Sequence, residues 1–401
     1  MKNLFFFAGL NSTSADAMIM IDIANAVLGT LLAELKIPKV TTRAFDAQAQ
    51  GANIYRVPVI TQGDAKVRSV DSDVVDDNSV AVSYQDITCK EMYYSLPVDR
   101  TFADSNAGNR VAQFIDNGAK KLLKQIEKYA YEQLAIFTGG NVLDWHYSTG
   151  TGLTYDDVRA AKKRMNKKEF LEYGRQMVLY TDCMDSLLDD SGLAYNATGS
   201  NESAFTGLPA RPIQGFDSWQ SPYIYNPNSG SVIEGNGGLA DGALKGAIAS
   251  TTTEDFVIDG ITVPSGTVLV PGQVIKFGTE YIMVYEVTSN PAPGEWGFKA
   301  FRGVWGSTAA THLDDAVPTW MDSYVNLAID PSSAVHVMPK QNTDVDNGIK
   351  VEASRDGFNV YLHREGMEKR NGSRRYLLSC VFGVKNLRPG DGAIQRIVKA
   401  G

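Results

Sequence analysis

The chain has 401 residues, 43% of them hydrophobic and 21% charged, and a formal net charge of −8 at pH 7. That length exceeds what one compact core usually organises, so two or more structural units are expected. The acidic balance excludes a surface built to coat nucleic acid, which needs a basic excess, and leaves only local basic patches to consider.

The first residues, "MKNLFFFAGLNSTSADAM", loosely imitate a secretory signal. The apolar run Leu4 to Leu10 contains a glycine and stands at the lower limit of a signal core, so no secretion is inferred. No stretch approaches the ~18 apolar residues of a membrane span. Residues 16–36 read as a helix capped by Asp16, with Met20, Ile23, Val27, Leu31 and Leu35 recurring every three or four residues and Pro38 as its stop. Residues 53–62 and 79–99 are rich in β-branched and aromatic side chains and partly alternate, which predicts a long hairpin around an acidic connector. A lone hairpin is marginal in water, so this one needs something to lie against.

The strongest periodic signal follows. Val111, Ile115, Ala119, Leu122, Ile126, Tyr129, Leu134 and Phe137 form one helical stripe, with Lys120, Lys121, Lys124 and Lys128 mostly off it and Gly139-Gly140 as the end. About 30 residues would give a rod of roughly 45 Å. A second helix begins at Thr154, whose spacing to Asp157 predicts a capping box. A strand at 176–182, a short helix at 183–190 and a loop over 208–226 leading to another strand continue an α/β alternation. From 227 to 322 the composition turns rich in Gly, Asn and Ser and then gives closely spaced short strands, the pattern of a small antiparallel barrel or sandwich inserted into the α/β part. Strands at 349–354 and 358–363 and the hydrophobic run Tyr376–Val384 close the chain.

Residues of chemical type are scattered. There is no GxxxxGK[ST], HExxH or GxSxG. The histidines His146, His312, His336 and His363 lack metal-ligand spacing, and Cys89, Cys183 and Cys380 lie far apart without a CxxC, as free thiols of a reducing compartment do. Gly235-x-Gly237-x-x-Ala240 lacks a βαβ frame and reads as a loop, and the acidic run 71–79 lacks the glycine of a calcium loop. No catalytic, cofactor or metal residue is assigned. Two basic runs stand out: Arg159, Lys162, Lys163, Arg164, Lys167 and Lys168, and a second over 363–375. Each reads as a solvated face or as a contact for a polyanion or an acidic partner surface.

The order of elements, with three segments, resembles the major capsid protein of tailed double-stranded-DNA phages. "QGFDSWQSPYIY" (214–225) is similar to that family's Gly-Phe-Asp segment before the insertion, and "NLAIDPSSAVHVM" (326–338) to its returning Asn-hydrophobic-Ala strand. There the family's aromatic-His pair is replaced by Ile329-Asp330. "CVFGVKNLRPGDGAIQRI" (380–397) resembles its closing Gly-Val, Arg-Pro and Ala-Ile pattern. The short-tailed enterobacterial type, with an inserted β-barrel, is the nearest resemblance.

The resemblance implies an α+β fold of the Hong Kong-97 type. Its parts would be an N-terminal arm and helix (1–45), an extended hairpin with peripheral strands (46–104) and a spine helix (105–145). An axial domain (146–226), an inserted barrel (227–322), and an axial return with C-terminal peripheral strands (323–401) would follow. The strand at the end would lie in the central sheet of the peripheral domain, and the Arg388-Pro389 turn would send the chain along the spine. The implied function is structural, not enzymatic: copies close as hexamers and pentamers into an icosahedral virion shell, assembled in the host bacterial cytoplasm. Its implied partners are itself, a scaffolding protein and a portal; it encloses double-stranded DNA without reading its sequence and needs neither membrane nor cofactor. Three alternatives stay open: an encapsulin-like compartment shell, a virion accessory binding carbohydrate through Trp296, Phe298, Phe301, Trp305 and Trp320, and an enzyme with a dispersed site.

Overall fold

The computed structural model describes residues 12–43, 54–62, 80–98, 107–136, 145–147, 150, 152–170, 172–189, 212–227, 242–260, 269–289, 295–341, 348–355, 358–365, 374–389 and 391–400. Helices are α1 (Ser12–Glu34), α2 (Ile37–Val40), α3 (Ala107–Ala135), α4 (Tyr155–Lys167) and α5 (Thr181–Asp189). The first seven strands are β1 (Thr42–Arg43), β2 (Ile54–Gln62), β3 (Val80–Thr88), β4 (Lys90–Val98), β5 (Trp145–Tyr147), β6 (Gln176–Leu179) and β7 (Asp217–Gln220). A run of short strands follows: β8 (Ala243–Leu244), β9 (Asp255–Asp259), β10 (Val274–Phe277), β11 (Glu280–Ser289), β12 (Trp296–Phe301) and β13 (Thr319–Met321). The chain closes with β14 (Ser323–Ile329), β15 (Ala334–Val337), β16 (Gly348–Arg355), β17 (Phe358–Glu365), β18 (Arg374–Asn386) and β19 (Ile394–Ala400).

Two compact units result. One comprises residues 1–35, 43–126 and 335–387. Its sheet has the order β1-β15-β18-β17-β16, and β4 also pairs with β18. Residues 376–379 of β18 therefore have a strand on each side, β17 and β4. Leu378, Cys380 and Phe382 on its inner face are completely buried, the period-two consequence of a sheet covered on that face. Met20, Ala24, Val27, Leu28 and Leu31 of α1 form a buried stripe, and α1 packs on β16 and β17. Gly118 lets α3 approach the same sheet: a Cβ there would stand 2.9 Å from Leu378 Cδ2 and 3.3 Å from Tyr94 Cδ1.

The other unit comprises residues 36–42, 127–334 and 388–401. Its five-stranded sheet runs β5-β19-β14-β6-β7, with β19 parallel to β5 and antiparallel to β14. Val158, Ala161 and Met165 of α4 and Cys183, Met184 and Leu187 of α5 bury against Met177, Leu179, Ala328 and Ile397 of this sheet. The six-stranded sheet, β13-β10-β11-β12-β9-β8, is antiparallel throughout and buries Phe256, Ile275, Phe277, Val284, Trp296 and Phe298. Segment 312–316 pairs with Leu244 and Ile248, and three residues later the chain enters β13, which pairs with β10. One stretch of chain thus links both ends of that sheet.

Several expectations need correction. Helix α1 starts at Ser12, so Asp16 lies inside it and not at its cap; it ends at Glu34, and Pro38 falls in the first turn of α2, where a missing N–H costs nothing. The run 79–99 is two strands. Only β3 pairs with β2; after Cys89 the chain turns to β18, along which β4 pairs from Lys90 to Val98. Strand β6 stops at Leu179 and α5 begins at Thr181, both earlier than expected, and 217–220, taken as loop, is a strand parallel to β6. Finally, the Arg388–Asp391 turn feeds β19 into the middle of the five-stranded sheet, so the last strand there is a partner of β14 and β5. Helix α3 ends at Ala135; Phe137 and Gly139-Gly140 lie outside the described residues.

Candidate assembly surface

The hairpin β2–β3 forms a two-stranded sheet of its own. Its register sets Ile54 opposite Thr88, Arg56 opposite Asp86, Pro58 opposite Tyr84 and Ile60 opposite Val82. Proline is tolerated because β2 is an edge strand with one neighbour. One face is anchored at its base, where Ile87 and Cys89 join Val335 and Val337, with Tyr55 and Val57 against them. Gly383 makes that junction possible, since a Cβ there would lie 2.8 Å from Cys89 Sγ and 2.9 Å from Ile87 Cγ2. The opposite face is open: Ile54, Val82 and Tyr84 are 57%, 52% and 61% exposed. Between them Arg56 and Asp86 form a two-pronged pair at 2.7 and 3.0 Å, an ion pair in water that fixes cross-strand register more than it stabilises. Exposed apolar side chains sharing one face of a two-stranded ribbon make this face a candidate contact surface.

The charged side chains that the sequence offered as candidates divide into surface and interior. Helix α4 turns Asp157, Val158, Ala161 and Met165 inward and exposes Arg159, Lys163, Lys167 and Lys168. The Thr154–Asp157 cap forms as predicted: the Asp157 carboxylate accepts the Thr154 N–H at 2.9 Å. The same carboxylate carries more than a cap. It lies 2.9 Å from His146 Nε2 and accepts Lys399 Nζ at 2.7 Å, and Lys399 also donates to the carbonyls of Gly150 and Gly152. Burial alone would raise the Asp157 carboxyl; the His146 hydrogen bond and the Lys399 charge outweigh it and bring it to about 2.

A second lock sits in the six-stranded sheet. Glu280, fully buried, receives Arg302 through Nε and Nη2 at 2.7 Å each, His312 Nε2 at 2.7 Å, and the backbone N–H groups of Ala310 and Gly303 at 2.9 and 3.2 Å. Burial pushes its carboxyl up, but these donors, Arg302 first, hold it below the ordinary value. Arg302 also bonds the carbonyls of Ser250, Thr253 and Ala310, tying the β8–β9 and β12–β13 connections to one carboxylate. A third lock is Arg396, whose Nε and Nη2 donate to the carbonyls of Ala135 and Leu134 at 2.6 and 2.9 Å. It supplies a cation and two donors at the C-terminus of α3, where a helix leaves carbonyls without internal partners. Asn326 binds three elements at once, accepting the Tyr180 N–H and donating to the Ile397 carbonyl and Cys183 Sγ. None of these was recognisable as functional beforehand; the one signal was a cation inside an apolar strand, as in "IQRIVKA".

The remaining candidates do not converge. His336 lies between Phe358 and Phe382, and burial, with Arg43 adding, lowers it to about 4. Among the described residues no three of His, Cys, Asp and Glu stand together so as to hold a metal ion. Burial pushes the thiols of Cys89 and Cys183 up to about 11 and that of Cys380 to about 12, the range of unreactive core cysteines. Trp296, Phe298, Phe301 and Trp305 are buried, so these four offer no carbohydrate platform, and Trp320 is half-buried against the core that holds Trp296 and Phe298. Residues 71–79, 235–240 and most of the second basic run lie outside the described residues. No described helix is long and apolar enough to cross a membrane.

No protein-family model matches the sequence, and no curated protein matches it. Solved structures similar over most of the chain include the capsid of Ralstonia phage GP4, at 8% identity and a TM-score of 0.48, covering 90% of this chain and 87% of that one. A chain from Mycobacterium phage Che8 has 12% identity and a TM-score of 0.47, covering 89% of each. The head structure of Helicobacter pylori bacteriophage KHP40 has 10% identity and a TM-score of 0.46, covering 90% of this chain and 87% of that one.

Proposed function

We propose that this chain is the coat protein of a tailed phage, a structural protein that closes as hexamers and pentamers into an icosahedral head around double-stranded DNA. The observation that carries the reading is the hairpin β2–β3, anchored at its base and presenting Ile54, Val82 and Tyr84 to solvent. A lone ribbon of this kind is not self-supporting, and laying its apolar face across a neighbouring copy is what would bury it. The long helix α3, 29 residues or roughly 44 Å, fits the spine of a thin wedge. The locks on Asp157, Glu280 and Arg396 suit a rigid part that is repeated many times, and they are spent on structure, not on chemistry. Residues 227–322 are read as a barrel inserted between the strands β7 and β14, consistent with the short-tailed enterobacterial type, and a scaffolding protein and a portal are the expected further partners.

The test is negative-stain electron microscopy with light scattering on the purified chain, alone and with its cognate scaffold. Closed shells, tubes or spirals tens of nanometres across support the reading, and a monomer under both conditions sinks it. Replacing Val82 and Tyr84 together with aspartate is expected to leave folding of the monomer intact and to abolish closed shells.

A further inference from the structure

We propose that the outward face of α4 docks the acidic connector, residues 63–79, of a neighbouring copy; this rests on the shell reading above. Arg159, Lys163 and Lys167 recur every fourth residue and so lie on one line along the helix, with Lys168 continuing it. Nearby carboxylates leave this line largely uncompensated. Arg159 reaches Asp156 only at 4.0 Å, and Glu172 is engaged by Asn166 at 2.7 Å and by Lys162 at 3.7 Å. Among the described residues, Lys163, Lys167 and Lys168 have no carboxylate within 4 Å; the exposed Glu169 is the next acid in sequence. Cations stacked four apart repel one another and weaken the helix that carries them, so the arrangement calls for an anion. Tyr173, 95% exposed, follows Glu172 in the sequence and offers an uncovered ring.

The chain itself contains the complement. Residues 71–77 hold Asp71, Asp73, Asp76 and Asp77 with no basic residue, and Val74 and Val75 stand between them as partners for a ring. Seven residues reach at most about 23 Å, longer than the ~12 Å from Arg159 to Lys167 along the helix. A short acidic segment suits one line of cations better than duplex DNA does. DNA needs a broad basic surface and would meet a chain of net charge −8.

Two charge-reversed full chains test this, K163E/K167E on the stripe and D73K/D76K on the connector. Both should keep the parent's circular dichroism and melting temperature, since the stripe lysines are exposed. Each alone should need about tenfold more protein to form shells, while an equimolar mixture, and the chain with all four changes, should return to within about threefold of the parent. Mixing is the decisive arm, because it restores opposite charges only between different copies. The proposal is overturned if either variant assembles like the parent, if the mixture gains nothing, or if only the fourfold chain recovers, which would place the contact within one copy. It is equally overturned if the stripe variant forms normal shells that retain less DNA. A parent chain that never forms shells, even with scaffold, would instead remove the shell reading itself.

Discussion

Replacing Arg396 with methionine isolates one buried charge and asks how much it holds. Its side chain is 1% exposed, lies over the Trp145 ring at 5.5 Å and donates to two carbonyls at the end of α3. Methionine keeps most of the volume and removes both donors. Hydrogen bonds from a charged donor each contribute about 1.5–3 kcal/mol, and carbonyls left without them incur a desolvation penalty. Against that, the variant no longer has to bury a guanidinium, which offsets part of the loss. The balance is a destabilisation of about 3 kcal/mol, a fall of roughly 6–12 °C in melting temperature for a unit of this size. Scanning calorimetry of the unassembled chain measures it, and hydrogen exchange should show the last turn of α3 losing protection first. Arginine to lysine keeps the charge without the fork and should recover about half. A methionine variant melting within 2 °C of the parent, with unchanged exchange at Leu134 and Ala135, would refute the capping argument.

Two further outcomes are expected. His336 is lowered from 6.5 to about 4, so between those values the unfolded chain binds a proton that the folded chain refuses. Stability is therefore lost as pH falls from about 6.5 to 4, by about 3 kcal/mol in all. H336Q should flatten that stretch of the stability–pH curve, measured by urea unfolding at each pH. Glu280→Gln leaves Arg302, with His312 beside it, facing a neutral amide in a buried site, and should cost about 3–5 kcal/mol by the same assay.

What could be read beforehand was whatever the chain states locally. Most of the stripe on α1, the part of the α3 stripe from Ala119 to Leu134 and the Thr154–Asp157 cap are patterns within a few residues of themselves, and the structure forms them; Ile23, expected on the α1 stripe, is half-buried and Ala24 is buried in its place. The division at Cys89 was not legible, because Thr88-Cys89-Lys90 contains no glycine or proline to mark it. It follows from a demand made far away, by β18 for a second neighbour. Arg396 and Lys399 could be seen only as cations in an apolar strand: three residues apart, they lie on opposite faces of β19, and nothing local names what either one meets. Their partners, Ala135 and Gly152, are 261 and 247 residues distant. Pattern reading finds burial; it does not find the counterpart of a buried charge.

The position of β19 has a consequence for synthesis. It lies between β5 and β14, yet is translated after both. Until the ribosome has released residues 394–400, the five-stranded sheet has a gap beside β14, Asp157 lacks Lys399, and α3 lacks its terminal cation. The six-stranded sheet draws all its strands from 243–321 and is complete well before that moment. Nascent chains therefore emerge with the six-stranded sheet able to close and the five-stranded sheet still waiting for its last strand, so the two sheets are completed in sequence and not together.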